Sequence, residues 1–212
     1  MYSYNGTSTP SQIAVVLPNG QLDPVFNLGN VALGGFYVNK VIAASDGSMY
    51  LANENNFYKF AADGSILASA ACNGTTNRIL ALPNGNIVVT CNNYYGFKLY
   101  DSNLAFIGGY GTFGTKNGGG RVYSVIPLDD GSLVVGGEFT DAEGVDSQLF
   151  AKYDSNGVFQ AQYAGSGTNM VPWINGRWVS GAVDIDASKF MVFGQFNELR
   201  GSNVNNIAYI NK

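Results

Sequence analysis

Only a few places in the chain gather side chains that could bind or react. Pro172-Trp173-Ile174-Asn175-Gly176-Arg177-Trp178-Val179 carries both tryptophans and an arginine around an Asn-Gly turn. A two-residue hairpin loop there would set Trp173 opposite Trp178 as a cross-strand pair. The same residue types suit a recognition surface, because Trp and Arg are enriched where binding energy concentrates and sugars stack on indole. Trp173, Arg177 and Trp178 are therefore the candidate binding surface. Asp184 and Asp186 stand two apart on an expected strand and so share a face. They could hold a cation or work as a carboxylate pair, and they could equally be exposed carboxylates beside a turn. Asp141-Ala142-Glu143-Gly144-Val145-Asp146 is acidic but lacks the spacing of a calcium loop, and reads as a solvated loop. Tyr110-Gly111-Thr112-Phe113-Gly114-Thr115-Lys116-Asn117-Gly118-Gly119-Gly120-Arg121 is Gly-rich, yet has no Gly-Lys-Ser/Thr and no following helix. It reads as a flexible or partner-ordered loop and not as a phosphate cradle.

The composition narrows the chemistry further. The chain has 212 residues, no histidine and a net charge of −4. Ser-His-Asp and Cys-His machinery and imidazole metal ligands are thereby excluded. The 11 Lys and Arg residues are scattered singly, so no basic stripe invites nucleic acid. No apolar run approaches the ~18 residues of a membrane-spanning helix. Met1-Tyr2-Ser3-Tyr4-Asn5-Gly6 has neither the charge nor the apolar stretch of a signal peptide. The triplets Asn5-Gly6-Thr7 and Asn73-Gly74-Thr75 then read as turns. Cys72 and Cys91 match no zinc spacing. They read as two buried thiols, with a single disulfide as the alternative. No catalytic residue, metal or cofactor is expected.

The elements that must position these residues are strands. There are 28 Gly and 24 Asn, about a quarter of the chain, and these residues most readily take positive φ. With aromatics at 13%, this is the composition of a β-protein with many tight turns. A first repeated element, strand–turn–strand, starts at Ile13-Ala14-Val15-Val16-Leu17-Pro18-Asn19-Gly20. It returns at Phe57–Gly64, Phe97–Asn103 and Phe150–Gly157, and in truncated form at Ile207–Lys212. A second element falls between the copies: Val41–Leu51, Ile79–Val89, Val125–Gly137 and Val183–Gly194, the last without its turn glycine. Four strands per unit and four units predict an all-β propeller of about four four-stranded blades in one domain. The units lie near 13–56, 57–96, 97–148 and 149–206, with a terminal strand at 207–212. A linear stack of hairpins is the alternative. The ring would close through the N-terminal strand around Leu22 to Phe26, or by exchange of that hairpin between subunits.

Ile13 to Phe26, with its Leu-Pro-Asn-Gly-Gln-Leu-Asp-Pro-Val-Phe run, resembles the opening of the delta-60 propeller repeat. Asp130-Gly131-Ser132-Leu133-Val134-Val135-Gly136-Gly137-Glu138-Phe139-Thr140 and Phe193-Gly194-Gln195-Phe196 through Asn206-Ile207-Ala208 resemble two further segments of it. The second unit departs from the pattern, with Thr90-Cys91-Asn92 in place of Gly-Gly. The resemblance implies a propeller-like fold in secreted bacterial or phage-like proteins, with no catalytic residues to transfer. The N-terminus without a signal peptide, the low charge, the Gly- and Asn-rich β-composition and the possible hairpin exchange between subunits lead to the expectation of a non-enzymatic structural protein of a bacteriophage virion, in a tail, neck or capsid-decorating role. It would be assembled in the host cytoplasm and contact other virion proteins or further copies of itself, without nucleic acid or membrane. A glycan- or host-surface-binding module is the alternative.

Overall fold

The computed structural model describes residues 2–4, 6–9, 13–28, 38, 40–44, 46–53, 55–72, 76–91, 96–115, 118–147, 149–161, 178–199 and 202–212. Trp173, Arg177, Asn5 and the Asn73-Gly74-Thr75 triplet lie outside these residues.

One loop is used again and again, and its chemistry explains the repeat. In Ala44–Ser48 the Gly47 N–H donates to Ala44 C=O, and the Ala44 N–H to Ser48 C=O. The same two bonds recur in Leu17–Gln21, Ala61–Ser65, Leu82–Asn86 and Leu128–Ser132. Each loop has three residues, ending in a glycine at φ near +80°, such as Gly47 at +79° and Gly131 at +79°. This is a type I turn closed by a left-handed residue, rather than the two-residue loop that Asp-Gly and Asn-Gly most often form. The Asp or Asn before the glycine adds a further bond: Asp46 Oδ1 accepts the Ser48 N–H at 2.9 Å, and Asp130 Oδ1 the Ser132 N–H at 2.9 Å.

These loops join short strands into antiparallel sheets. The first sheet takes Lys40–Ala43, Met49–Ala52, Asn56–Phe60 and Ile66–Ala71 in chain order. The second takes Thr76–Ala81, Ile87–Cys91, Phe97–Tyr100 and Phe106–Tyr110. The third takes Arg121–Pro127, Leu133–Glu138 and Phe150–Tyr153, and a single bridge, Tyr153 to Phe159, marks where a fourth strand would begin. The fourth takes Trp178–Asp186, Lys189–Gln195 and Ile207–Asn211. Each sheet thus joins the second repeated element of one unit to the first element of the next.

Consecutive sheets are packed face to face. Tyr50, Ala52 and Phe57 of the first meet Ile79, Ile87 and Val89 of the second. Val88, Phe97 and Leu99 of the second meet Leu133, Val135 and Tyr153 of the third. Val134 and Phe150 of the third meet Phe190, Val192 and Ala208 of the fourth. Alternation along each strand supplies both faces, which is why the central strands read as continuous apolar runs.

Three expectations are corrected. The segment around Leu22 to Phe26 is not a closing strand. Val16 bridges Leu22, and Pro24–Leu28 is a short helix. The sequence explains it: Asp23 Oδ1 accepts the Val25 N–H at 2.9 Å as an N-cap, and Pro24 takes the first helical position, where no donor is needed. Ile13 and Val38 pack on Leu51 and Phe60, and Phe26 approaches Gly64, so this segment lies against the first sheet. The acidic and Gly-rich loops are also ordered as strands. Phe113–Thr115, Gly118–Gly119, Asp141–Ala142 and Val145–Asp146 form a small sheet of their own. Glu143 and Gly144, at φ +53° and +74°, make the hairpin turn between the last two. Buried Phe113, whose ring centroid is 4.5 Å from that of Phe139, anchors it.

The third correction concerns the cysteines. Cys72 and Cys91 are joined as a disulfide with Cα atoms 6.0 Å apart, and both are buried. Cys72 follows the last strand of the first sheet and Cys91 ends the second strand of the second, so the bond links neighbouring sheets. Sequence spacing could not reveal this, because the proximity is created by the stacking of the sheets.

Candidate functional site

The first strand of each of the last three sheets is bulged at the same place. The ladder slips between Thr76 and Arg78, between Val122 and Ser124, and between Val179 and Gly181. Glycines stand opposite two of the bulges, in the third and fourth sheets. A Cβ at Gly137 would lie 2.0 Å from Arg121 O, and one at Gly194 would lie 2.1 Å from Trp178 O. This gives the Gly-Gly part of the repeat a physical reason, since only a residue without Cβ admits so close an approach. In the second sheet the corresponding position, paired with Thr76, is Cys91 of the disulfide.

The bulges aim residues of these strands at one another. Trp178 pairs with Gln195 and stands in the same register position as Arg121, which pairs with Glu138. The half-buried Trp178 ring meets Tyr123 edge-on at 6.1 Å. The Tyr123 hydroxyl donates to Glu138 Oε2 at 3.0 Å, and the Arg78 Nε–H donates to Tyr123 C=O at 2.9 Å. Burial raises the Tyr123 pKa, and Glu138 raises it further against the opposing pull of Arg121. The phenol therefore stays protonated and acts as a donor. Arg78, Arg121, Tyr123, Glu138 and Trp178 thus form one aromatic and charged surface across three sheets. Of the three residues expected from sequence, the structure places Trp178 here, and Trp173 and Arg177 fall outside the described residues. Tyr123, Arg121 and Arg78 were missed. The signal was available, because aligning the repeats puts Arg121 and Trp178 at one position.

The other candidate carboxylates are engaged in holding the fold. Asp184 and Asp186 do separate work. Asp184 Oδ2 accepts the Asp129 N–H at 2.7 Å, and the Lys212 ammonium meets its other oxygen. Asp186 Oδ1 accepts the Ser188 N–H at 2.8 Å. The Asp184 pKa is lowered: desolvation acts against this, but Lys212 and the Asp129 amide outweigh it. The Asp186 pKa is lowered chiefly by the Ser188 hydroxyl and N–H. The Lys212 pKa is raised by Asp184. Both carboxyls are therefore fixed as anions, the wrong direction for a general acid at neutral pH. Glu143 of the acidic segment accepts the Gly111 N–H at 2.9 Å and faces the buried Tyr153 hydroxyl at 3.4 Å. Burial, aided by Glu143, drives the Tyr153 pKa far above its ordinary value. Among the described residues no three His, Cys, Asp or Glu side chains gather as a metal site, and no helix is long and apolar enough to cross a membrane.

No family model matches the sequence, and no curated protein matches it. Among solved structures, the β-propeller domain of Cps50 (Swd1) from Myceliophteria thermophila is similar with a TM-score of 0.51 at 7% identity, over 75% of this chain. The chain spans about half of that one, 51%. The likeness is one of fold: antiparallel sheets stacked as in a β-propeller. Looser likenesses are to YCF48 bound to D1 peptide, with a TM-score of 0.43 at 12% identity over 77% of this chain and 48% of that one, and to a protein of unknown function from Bacteroides caccae, with a TM-score of 0.36 at 14% identity over 72% and 76%.

Proposed function

We propose that the four sheets are four blades of a propeller-type repeat protein, akin to the delta-60 repeat, that acts without catalysis as a structural component of a bacteriophage virion. Its place there is in a tail, neck or capsid-decorating position, working through contacts with other virion proteins or with itself. The observation that carries this reading is the set of apolar side chains on the last strands of the sheets. Ile66 and Leu67 in the first, Phe106 and Ile107 in the second, and Ile207 and Tyr209 in the fourth are all exposed. Apolar side chains gathered at sheet edges suit protein contact better than solvent. The disulfide fits a particle that meets an oxidising medium after release from the host. Mass spectrometry of purified particles from the source organism tests the reading. The chain is expected in washed, intact particles, and particles without it overturn the proposal.

A second reading rests on Trp178, Tyr123 and Arg121. Aromatic faces flanked by guanidinium groups suit a glycan on a cell surface. A glycan array probed with the wild type and with Trp178→Ala checks it. The expected result is a hit that the substitution abolishes, and an array without hits removes this reading.

A further inference from the structure

The polar groups of the surface around Tyr123 are unevenly used. Its one carboxylate, Glu138, accepts the Tyr123 hydroxyl at 3.0 Å, and the oxygen of that hydroxyl accepts from Arg121. The Tyr123 carbonyl is taken by the Arg78 Nε–H at 2.9 Å. What is left over is chiefly donors. Arg78 is exposed, and its two Nη nitrogens have no partner among the described residues. The indole N–H of the half-buried Trp178 has none among them either.

The charge of the region has one sign. Lys40 is exposed and stands in the first sheet at the register position of Arg78, since Lys40 pairs with Ala52 where Arg78 pairs with Thr90. Lys40, Arg78 and Arg121 thus bring three cations to the same end of three consecutive first strands, in a chain whose net charge is −4. Asp184 and Asp186 stand at the far end of the fourth sheet's first strand and are already bound, to Lys212 and Ser188.

We propose that this surface binds acidic glycans, through the carboxylate of a uronic or sialic acid. A ligand rich in acceptors and negatively charged matches a surface whose unused groups are donors and whose excess charge is positive. A flat guanidinium and a flat carboxylate meet through two parallel N–H···O bonds. Arg78 is held ready for this, because its Nε bond to the Tyr123 carbonyl fixes the plane of the fork. The Trp178 ring, steadied by the Tyr123 ring, offers a rigid apolar face to the C–H groups of a sugar. The first strand of the third sheet lies between those of the second and the fourth, so Arg78 and Trp178 flank Tyr123 from either side. A ligand that meets both spans more than one sugar, with its acid at the Arg78 end.

The inference rests on the reading of this surface as a glycan site, and it adds the class of glycan. The test is an array on which each glycan bearing a uronic or sialic acid is paired with its carboxyl-reduced form. Wild type and Arg78→Gln are both applied, with circular dichroism as the check of folding. The wild type is expected to bind acidic members and not their reduced forms, and to bind them less well as salt is raised. Arg78→Gln is expected to bind about tenfold more weakly with its spectrum unchanged. Equal binding of the acidic and reduced forms by the wild type overturns the inference, and this comparison needs no variant. Hits confined to neutral or sulfated glycans, or an acidic hit that Arg78→Gln binds as tightly as the wild type, overturn it too. Each of these outcomes leaves the glycan reading standing, whereas an array without hits removes both.

Discussion

Lys59 Nζ lies 3.3 Å from Asp46 Oδ2 across the first sheet, and Lys152 Nζ lies 3.3 Å from Asp130 Oδ2 in the third. In both places an almost buried lysine in the third strand reaches the aspartate that closes the first hairpin loop. The other carboxylate oxygen already accepts the serine two residues on, Ser48 or Ser132. One carboxylate thus fixes a turn and neutralises a buried cation. Removing the anion leaves Lys59 charged beside Tyr50, whereas replacing the lysine by an apolar chain of similar length keeps the packing. Asp46→Ala is therefore expected to lower the melting temperature more than Lys59→Met does, in thermal unfolding followed by circular dichroism.

These carboxylates set the acid limit of stability. The Asp46 pKa is lowered from 3.8 to about 2, first by the Ser48 hydroxyl, then by the Ser48 N–H, with a smaller contribution from Lys59. Asp63, Asp130, Asp184 and Asp186 are lowered as well. A folded-state pKa below the unfolded one contributes stability that is full above the unfolded value and lost as pH falls through the folded one. The melting temperature is expected to hold from neutral pH to about 4 and to drop between there and about 2. Asp46→Asn is expected to remove part of that drop. A parallel curve for the variant would show that Asp46 contributes nothing to it.

The disulfide closes a loop with a sequence separation of 19. Constraining the unfolded chain by such a loop is worth about 3 kcal/mol. The double substitution Cys72→Ala and Cys91→Ala is expected to lower the urea midpoint and to steepen the denaturant slope, because the unfolded chain without the cross-link exposes more surface. Thiol titration of the denatured, unreduced wild type is expected to find no free sulfhydryl.

Gly137 and Gly194, opposite the bulges of the third and fourth sheets, have no room for a Cβ. Gly137→Ala would push a methyl against the Arg121 carbonyl, which is backbone and cannot turn away. A cost of about 1–3 kcal/mol is expected, as for other overpacked sites. Gly194→Ala should behave alike, since its Cβ would meet the Trp178 carbonyl. Because Trp178 and Arg121 are positioned by these bulges, near-ultraviolet circular dichroism of Gly194→Ala is expected to report a moved indole.

The loops and strands were legible because their causes are local. Gly47, Gly85 and Gly131 adopt positive φ where the sequence puts Asp-Gly or Asn-Gly, and alternating Val, Ile and Phe make strands on either side. The short helix was legible too, in Asp23-Pro24, and was missed only because the repeat pattern argued for a strand there. The site was half legible: Trp178 stood out by residue type, while Tyr123 and Arg78 join it through a bulge shared by three sheets. What the sequence by itself determined is an all-β repeat with a fixed turn chemistry, because φ preference and side-chain alternation act over a few residues. The stacking of the sheets decided the rest: that Cys72 meets Cys91, and that Ile207 is exposed where Phe57, Phe97 and Phe150 are buried. Those outcomes depend on which face of a sheet the next sheet covers, and only the three-dimensional arrangement sets that.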